Sequence, residues 1–477
     1  MKRFVTLVGF LAAAGPAHAA VVAAPGYAVH SIPTPATVQG GVVRRGEVIL
    51  VGQGAFGGGM ESIVRLDESG ATTVATGFNS LGGFDLDEAG TLYAVDNCGE
   101  CMGATTGDTL FAIPEALTRT TAVTAAGREV LPAGTIPFAA DVLIDPMGAA
   151  LVSDAVGGGA GRVVRVVSGT ASNLIEGLDL VGGLALAPDG TLRVVNAVLN
   201  PDFTTTGAVL EYRLDGVFQG TLVGGLQGGF GAVVDREGNV LVSGVGSFGA
   251  SKVIAVAPDG SVTDRATGFA FSSDLYFDAP RDEVLVLDFG VAEIVAICRD
   301  TDGDGVCDAD DPCTGGATAE LRLTIGRLST PPGDDILRLS GAMTVPPAPV
   351  LDPVTTGVRV LVDGVAGSIL DATVPGGAFD PVTRAGWKAK NGKFRYKDRR
   401  GSVLGITRIM LATSSKTPGR VSFFVAGRKG SYAVEPADLP LRATLVVGAG
   451  AGQCGDTTFS ESDCSFSAAG NTLECGQ

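Results

Sequence analysis

The fold is decided by the stretch Val181–Ala197, VGGLALAPDGTLRVVNA. A small-apolar run, Val181 to Leu186, enters the turn signal Pro188-Asp189-Gly190. It leaves again through Leu192, Val194 and Val195 to the polar Asn196. Two short apolar runs joined by a Pro/Asp/Gly turn read as a pair of antiparallel strands. Working outward in both directions, the same phrase recurs. It stands at Gln39 (QGGVVRRGEVILVGQ), Leu81 (LGGFDLDEAGTLYAVDN), Phe138 (FAADVLIDPMGAALVSDA), Gly228 (GGFGAVVDREGNVLVSG) and Phe271 (FSSDLYFDAPRDEVLVLDF). Each copy is followed by a third alternating strand, such as SIVRLDESG, RVVRVV or KVIAVAPDG. Most copies carry a weaker fourth, such as TTVATGF.

Units of roughly 40–50 residues with four short strands each are the arithmetic of a β-propeller, here with six blades. The sixth unit stops at Cys298 after three strands. An orphan strand, YAVHSIPT at 27–34, precedes the first unit and supplies the missing outer strand. Closing the ring this way removes the unpaired edges that an open stack would expose. The units resemble six-bladed propellers of the NHL and gluconolactonase-like (senescence marker protein) type. GGLALAPDGTLRVVN and KVIAVAPDG carry the resemblance, which covers roughly residues 25–297. It implies a fold. For activity it implies a metal-dependent lactone hydrolase holding a divalent ion by a Glu near the start and by Asn and Asp on inner loops. The inner strand of the first unit, QGGVV, carries no such carboxylate.

Within the repeat, one register after the second strand carries Asp96, Asp154, Asn196 and Asp288, with Gly52 and Gly244 in the other two units. Such residues either form a polar ring that binds a ligand or cap their own turns, which short polar side chains do well. Asp85, Asp141 and Asp274 lie one strand earlier, toward the central channel. Asp141 and Asp274 are the catalytic candidates of a channel hydrolase. Gly52-Gln53-Gly54-Ala55-Phe56-Gly57 matches G-x-G-x-x-G, but a strand rather than a helix follows, so no pyrophosphate site is expected. Cys98 and Cys101 read as a small loop-stapling disulfide.

The clearest chemistry lies at 298–313, CRDTDGDGVCDADDPC. Asp300, Asp302 and Asp304 occupy loop positions 1, 3 and 5, and Gly305 occupies the sharp turn at 6. Val306 offers its carbonyl at 7, with Asp308 at 9 and Asp311 at 12. That is the oxygen spacing of an EF-hand-type loop, and clustered hard carboxylates select Ca2+. The flanking helices of an EF-hand are missing. With Cys313 two residues after Asp311, the segment resembles a single thrombospondin type 3 repeat. The resemblance implies a structural calcium site in the connector. Cys298, Cys307 and Cys313 are an odd three, so one partner lies elsewhere, and Cys454, Cys464 or Cys475 of the polar tail can supply it.

After residue 317 the balance turns basic, with 18 Lys and Arg against 14 Asp and Glu. LRLTIG, ILRLSGAM, GVRVLVDG, GITRIMLA, RVSFFVAG and LRATLVVG alternate as an antiparallel sandwich would. The Trp387–Tyr396 segment is a hairpin about Asn391-Gly392, whose turn type wants positive φ. Its Lys393, Arg395 and Lys397 form either a cationic docking face or a solvated one over buried aromatics. The region resembles an uncharacterised C-terminal module of exported proteobacterial proteins, which implies no activity.

Composition bounds the rest. The 477 residues carry a net charge of −17, a poor match for nucleic acid. Only two His are present, His18 and His30, which leaves little room for Ser-His-Asp catalysis or multi-histidine metal sites. Residues 1–19, with Lys2 and Arg3, an apolar run from Phe4 and Ala17-His18-Ala19, read as a bacterial signal peptide, so the chain is expected in the periplasm or outside the cell. The expected organisation is all-β. It comprises a propeller at 20–297, a calcium-binding linker at 298–316 and a sandwich with a Cys-rich tail at 317–477. It is expected to be monomeric, without a transmembrane segment, and to meet a glycan or protein ligand. The residues favour a binding protein over an enzyme, with the channel hydrolase as the alternative.

Overall fold

The computed structural model describes residues 20–476, apart from 55–59, 99–106, 201–203, 248, 317, 330, 332, 366 and 449–451. The proposed signal segment and Cys101 lie outside the described residues. The chain is all-β. Among the described residues the one α-helix is the single turn Pro353–Thr356, capped by Asp352. Two compact units divide the chain, Met1–Arg299 and Asp300–Gln477.

The first unit holds six sheets among its described residues. Their inner strands are Val38–Arg45, Leu81–Leu86, Ala139–Ile144, Leu180–Leu186, Ala232–Val234 and Ser272–Asp278. Each lies against the next, and Ser272–Asp278 returns against Val38–Arg45, so the ring closes as in a propeller. The Asp/Gly phrases form the tight turns between first and second strands. Asp145 N–H, for instance, donates to Ala149 O at 2.8 Å, and Gly148 N–H donates to Asp145 O at 2.8 Å. Apolar side chains from neighbouring sheets fill the wedges between blades, as with Leu50, Ile63, Phe84 and Phe111.

The orphan strand closes the ring as its position in the sequence suggests. Tyr27–Pro33 pairs antiparallel with Glu293–Arg299 along its whole length, from Tyr27 opposite Arg299 to Pro33 opposite Glu293. Two small additions were not legible in the repeat. Val22–Ala23 extends the fifth sheet at Val262–Phe269, and Val123–Thr124 runs parallel to Gly70–Phe78 at the edge of the first. The second sheet keeps three strands among the described residues.

The second unit is a sandwich of an eight-stranded and a four-stranded sheet around one core that includes Leu323, Leu339, Val360, Trp387, Val425 and Leu445. Asn391 and Gly392 adopt φ of 50° and 70°, as the hairpin turn between Ala385–Lys390 and Lys393–Asp398 requires. Trp387 and Tyr396 face each other across that hairpin and are buried, whereas Lys393, Arg395 and Lys397 are exposed. The polar tail, for which the sequence suggested no strands, is largely strand. Gln453–Phe459 pairs with Leu441–Gly448, and Thr472–Gly476 pairs with Thr318–Gly326. Cys464 bonds to Cys475 directly across a two-strand ladder, and Cys313 bonds to Cys454.

Candidate functional sites

The register after each second strand resolves into caps. Asp96 accepts hydrogen bonds from the backbone N–H groups of Asn79 (2.7 Å), Ser80 (3.2 Å) and Cys98 (3.1 Å). Asp154 accepts from Phe138 N (3.0 Å) and pairs with Arg162 Nε (2.9 Å). Asn196 accepts from Asp179 N (2.8 Å), and Asp288 accepts from Ala270 N (3.0 Å) and Phe271 N (2.7 Å). Each side chain ties down the loop entering its own blade, so these oxygens serve buried backbone donors. Ser243 Oγ does the same in the fifth blade by accepting from Gly231 N.

The channel acids sit on inner strands at two depths. Asp141 and Asp274 follow a bulge in the ladder and lie four residues before the turn residues Asp145 and Asp278. Asp85 lies only two residues before Asp87, one layer further along. Each reaches across to the neighbouring blade. Asp141 Oδ2 accepts from Leu184 N (2.8 Å), Asp274 Oδ2 from Val42 N (2.9 Å) and Asp85 Oδ2 from Ile144 N (2.6 Å). Burial pushes the Asp85 carboxyl up to about 6 and the Asp141 carboxyl up to about 7. Burial, and then the Asp141 charge, raise Asp274 well above the ordinary carboxylate range. Glycines elsewhere in this register keep the walls close. A Cβ on Gly83 would lie 1.9 Å from Asp141 Oδ1, and one on Gly183 would lie 2.2 Å from Ala232 N. Among the described residues, none of the groups of three converging carboxylate, thiol or imidazole ligand atoms includes a channel acid.

The acidic loop converges far more. Asp300 is buried and acts as its organiser. Its Oδ1 accepts from Gly303 N (2.7 Å) and Asp304 N (3.2 Å), and its Oδ2 accepts from Gly305 N (2.9 Å). Gly303 and Gly305 adopt φ of 78° and 89°, which lets the chain curl around that carboxylate. Oxygens of Asp300, Asp302 and Asp304 lie within 4.8 Å of one another. Burial, followed by the charges of Asp304 and Asp311, raises Asp302 to about 6. Val306 N–H donates to Asp304 Oδ1 at 2.8 Å. Asp308 points elsewhere, since its two oxygens take the backbone N–H (2.8 Å) and hydroxyl (2.6 Å) of Thr301. Asp311 accepts from Cys313 N at 2.7 Å, beside the Cys313–Cys454 bond.

Two residues that the sequence did not single out complete this cluster. Arg442 on Leu441–Gly448 contacts Asp304 (2.5 Å) and Asp311 (2.7 Å) through Nη2, and Asp456 through both Nη2 and Nε. Asp456, on Gln453–Phe459, brings an oxygen within 4.8 Å of those of Asp304 and Asp311. Burial raises the Asp456 carboxyl to about 7. The odd cysteine held the signal for this contact. Joining Cys313 to Cys454 places the residue two beyond Cys454 near the residue two before Cys313.

No family profile matches this chain, and no curated protein does. Among solved structures, it is similar to a putative gluconolactonase, at 20% identity over 58% of this chain and 93% of the other, with a TM-score of 0.41. It is also similar to a calcium-binding protein, regucalcin, from Agrobacterium tumefaciens (16%, 56% and 91%, TM-score 0.40). A third is a gluconolactonase from Xanthomonas campestris (15%, 59% and 98%, TM-score 0.41). At these identities the likeness is one of fold.

Proposed function

We propose that this chain is an exported calcium-binding protein whose propeller serves as a recognition module and whose second unit is held together by the ion. The observation that carries the calcium reading is the convergence of Asp300, Asp302 and Asp304 around one point of the loop, with Asp311 beside them. Clustered carboxylate oxygens repel one another, and a hard divalent cation with 6–8 oxygen ligands offsets that repulsion. Disulfides at Cys313–Cys454 and Cys464–Cys475 support an oxidising compartment. Among the described residues no helix is long and apolar enough to cross a membrane. The recognition reading is supported by channel acids that are spent on backbone donors. Its test is a glycan-array and pull-down screen of the mature chain with and without EDTA. Binding that survives point changes in the channel supports it, and the absence of any ligand in both conditions counts against it.

A second reading, a metal-dependent gluconolactonase-like hydrolase, has its own support. Desolvation raises the Asp141 carboxyl to about 7, and desolvation together with the Asp141 charge raises Asp274 well above the ordinary carboxylate range, the direction in which a general acid–base pair is tuned. Hydrolysis of aldonolactones that stops with EDTA and falls at least about 100-fold in D141N and D274N would establish it.

A further inference from the structure

We propose that Asp456 is a ligand of the calcium site and that Arg442 is the cation calcium competes with there. The inference rests on the calcium reading of the loop and extends it to residues more than a hundred positions away.

Three carboxylates, those of Asp304, Asp311 and Asp456, meet at one guanidinium. One guanidinium only partly offsets the mutual repulsion of three carboxylates, and a divalent ion in its place offsets more of it. The spacing suits one ion as well. Ligand oxygens held 2.3–2.6 Å from calcium stand at most about 5 Å apart, and the three carboxylates bring oxygens within 4.8 Å of one another. A second 4.8 Å group joins Asp456 to Asp302 through the Cys313 sulfur, so Asp456 borders both halves of the loop. That sulfur is bonded to Cys454 and is no ligand itself.

An independent observation points to a missing ligand. The Asp311 side chain is 1% exposed, and its Oδ2 is buried without a hydrogen-bond partner. Thr444 Oγ1, directly across the ladder from Asp456, is likewise buried and unpartnered. Buried oxygens left unsatisfied cost about 1–3 kcal/mol each, so native sites seldom keep them without an ion or water. A motif-only site would need nothing from the sandwich. Here the sandwich supplies a carboxylate, and a cation that holds the carboxylates together when calcium is absent.

The test is calcium titration by calorimetry on the mature chain, comparing wild type with D456N, R442Q and D302N. Tm and far-UV circular dichroism in EDTA report folding for each. Loss of one charged ligand predicts calcium binding about tenfold or more weaker in D456N. Removal of the competing charge predicts tighter binding in R442Q, by about threefold or more, although its Tm in EDTA falls. Affinity within twofold of wild type in D456N, with binding lost in D302N, overturns the proposal and leaves the loop reading standing. Binding unaffected in D302N as well overturns the loop reading itself. Should D456N fail to fold, R442Q decides, since unchanged or weaker affinity there contradicts competition.

Discussion

Replacing Cys313 and Cys454 together by alanine removes a bond that closes a very long loop. The two are 141 positions apart in sequence, and both are buried, at 0% and 3% exposure. Chain-entropy reasoning for a loop of that length gives a stabilisation of about 5 kcal/mol, and native disulfides removed from proteins cost about 2–5 kcal/mol. The second unit spans about 180 residues. At about 2.1 cal/mol/K per residue its unfolding entropy is near 370 cal/mol/K, so its transition should fall by about 5–13 °C. Alanine avoids placing a hydroxyl among Leu361 and Val446, the apolar neighbours of the bond. Differential scanning calorimetry with excess calcium resolves the effect. A second consequence follows from position. The bond holds Asp311 against the strand that carries Asp456, so calcium affinity should fall in the same variant. An unchanged transition together with unchanged calcium affinity would refute the view that this bond fastens the loop to the sandwich.

Two further outcomes follow from the propeller. Asp141 binds its proton in the folded state up to about pH 7, whereas the unfolded chain releases it near pH 4. Its contribution is therefore fully present below pH 4 and is lost as pH rises through 7; D141N should flatten the fall in urea midpoint between pH 5 and 8, which for this one group is at most about 4 kcal/mol. In D96A the N–H groups of Asn79, Ser80 and Cys98 lose their acceptor, and chemical denaturation should show a loss of at least about 3 kcal/mol.

What the sequence made legible follows from what repeats. Turn phrases such as Pro188-Asp189-Gly190 announce each hairpin because backbone geometry at a tight turn admits few residue types. The place of Tyr27–Pro33 could be counted because a closed ring must supply a partner for every edge. Gly367–Val374 and the tail strands were missed because nothing near them repeats and their polarity resembles that of a loop. In the acidic loop, the short-range pattern singled out Asp300, Asp302 and Asp304, whose oxygens converge, and Asp311, which meets Asp304 at Arg442. Asp308 was read by spacing alone, and its engagement with Thr301 depends on how the loop folds back. Arg442 and Asp456 were invisible because their contact is made by tertiary pairing, and a spacing motif carries no record of a strand so far along the chain.

Calcium titration of the mature wild-type chain beside D302A/D304A tests the account most directly. A calcium-binding loop gives saturable binding with a rise in melting temperature for wild type, and neither in the variant. Wild-type protein that takes up no calcium, or a variant whose response matches wild type, would contradict the account.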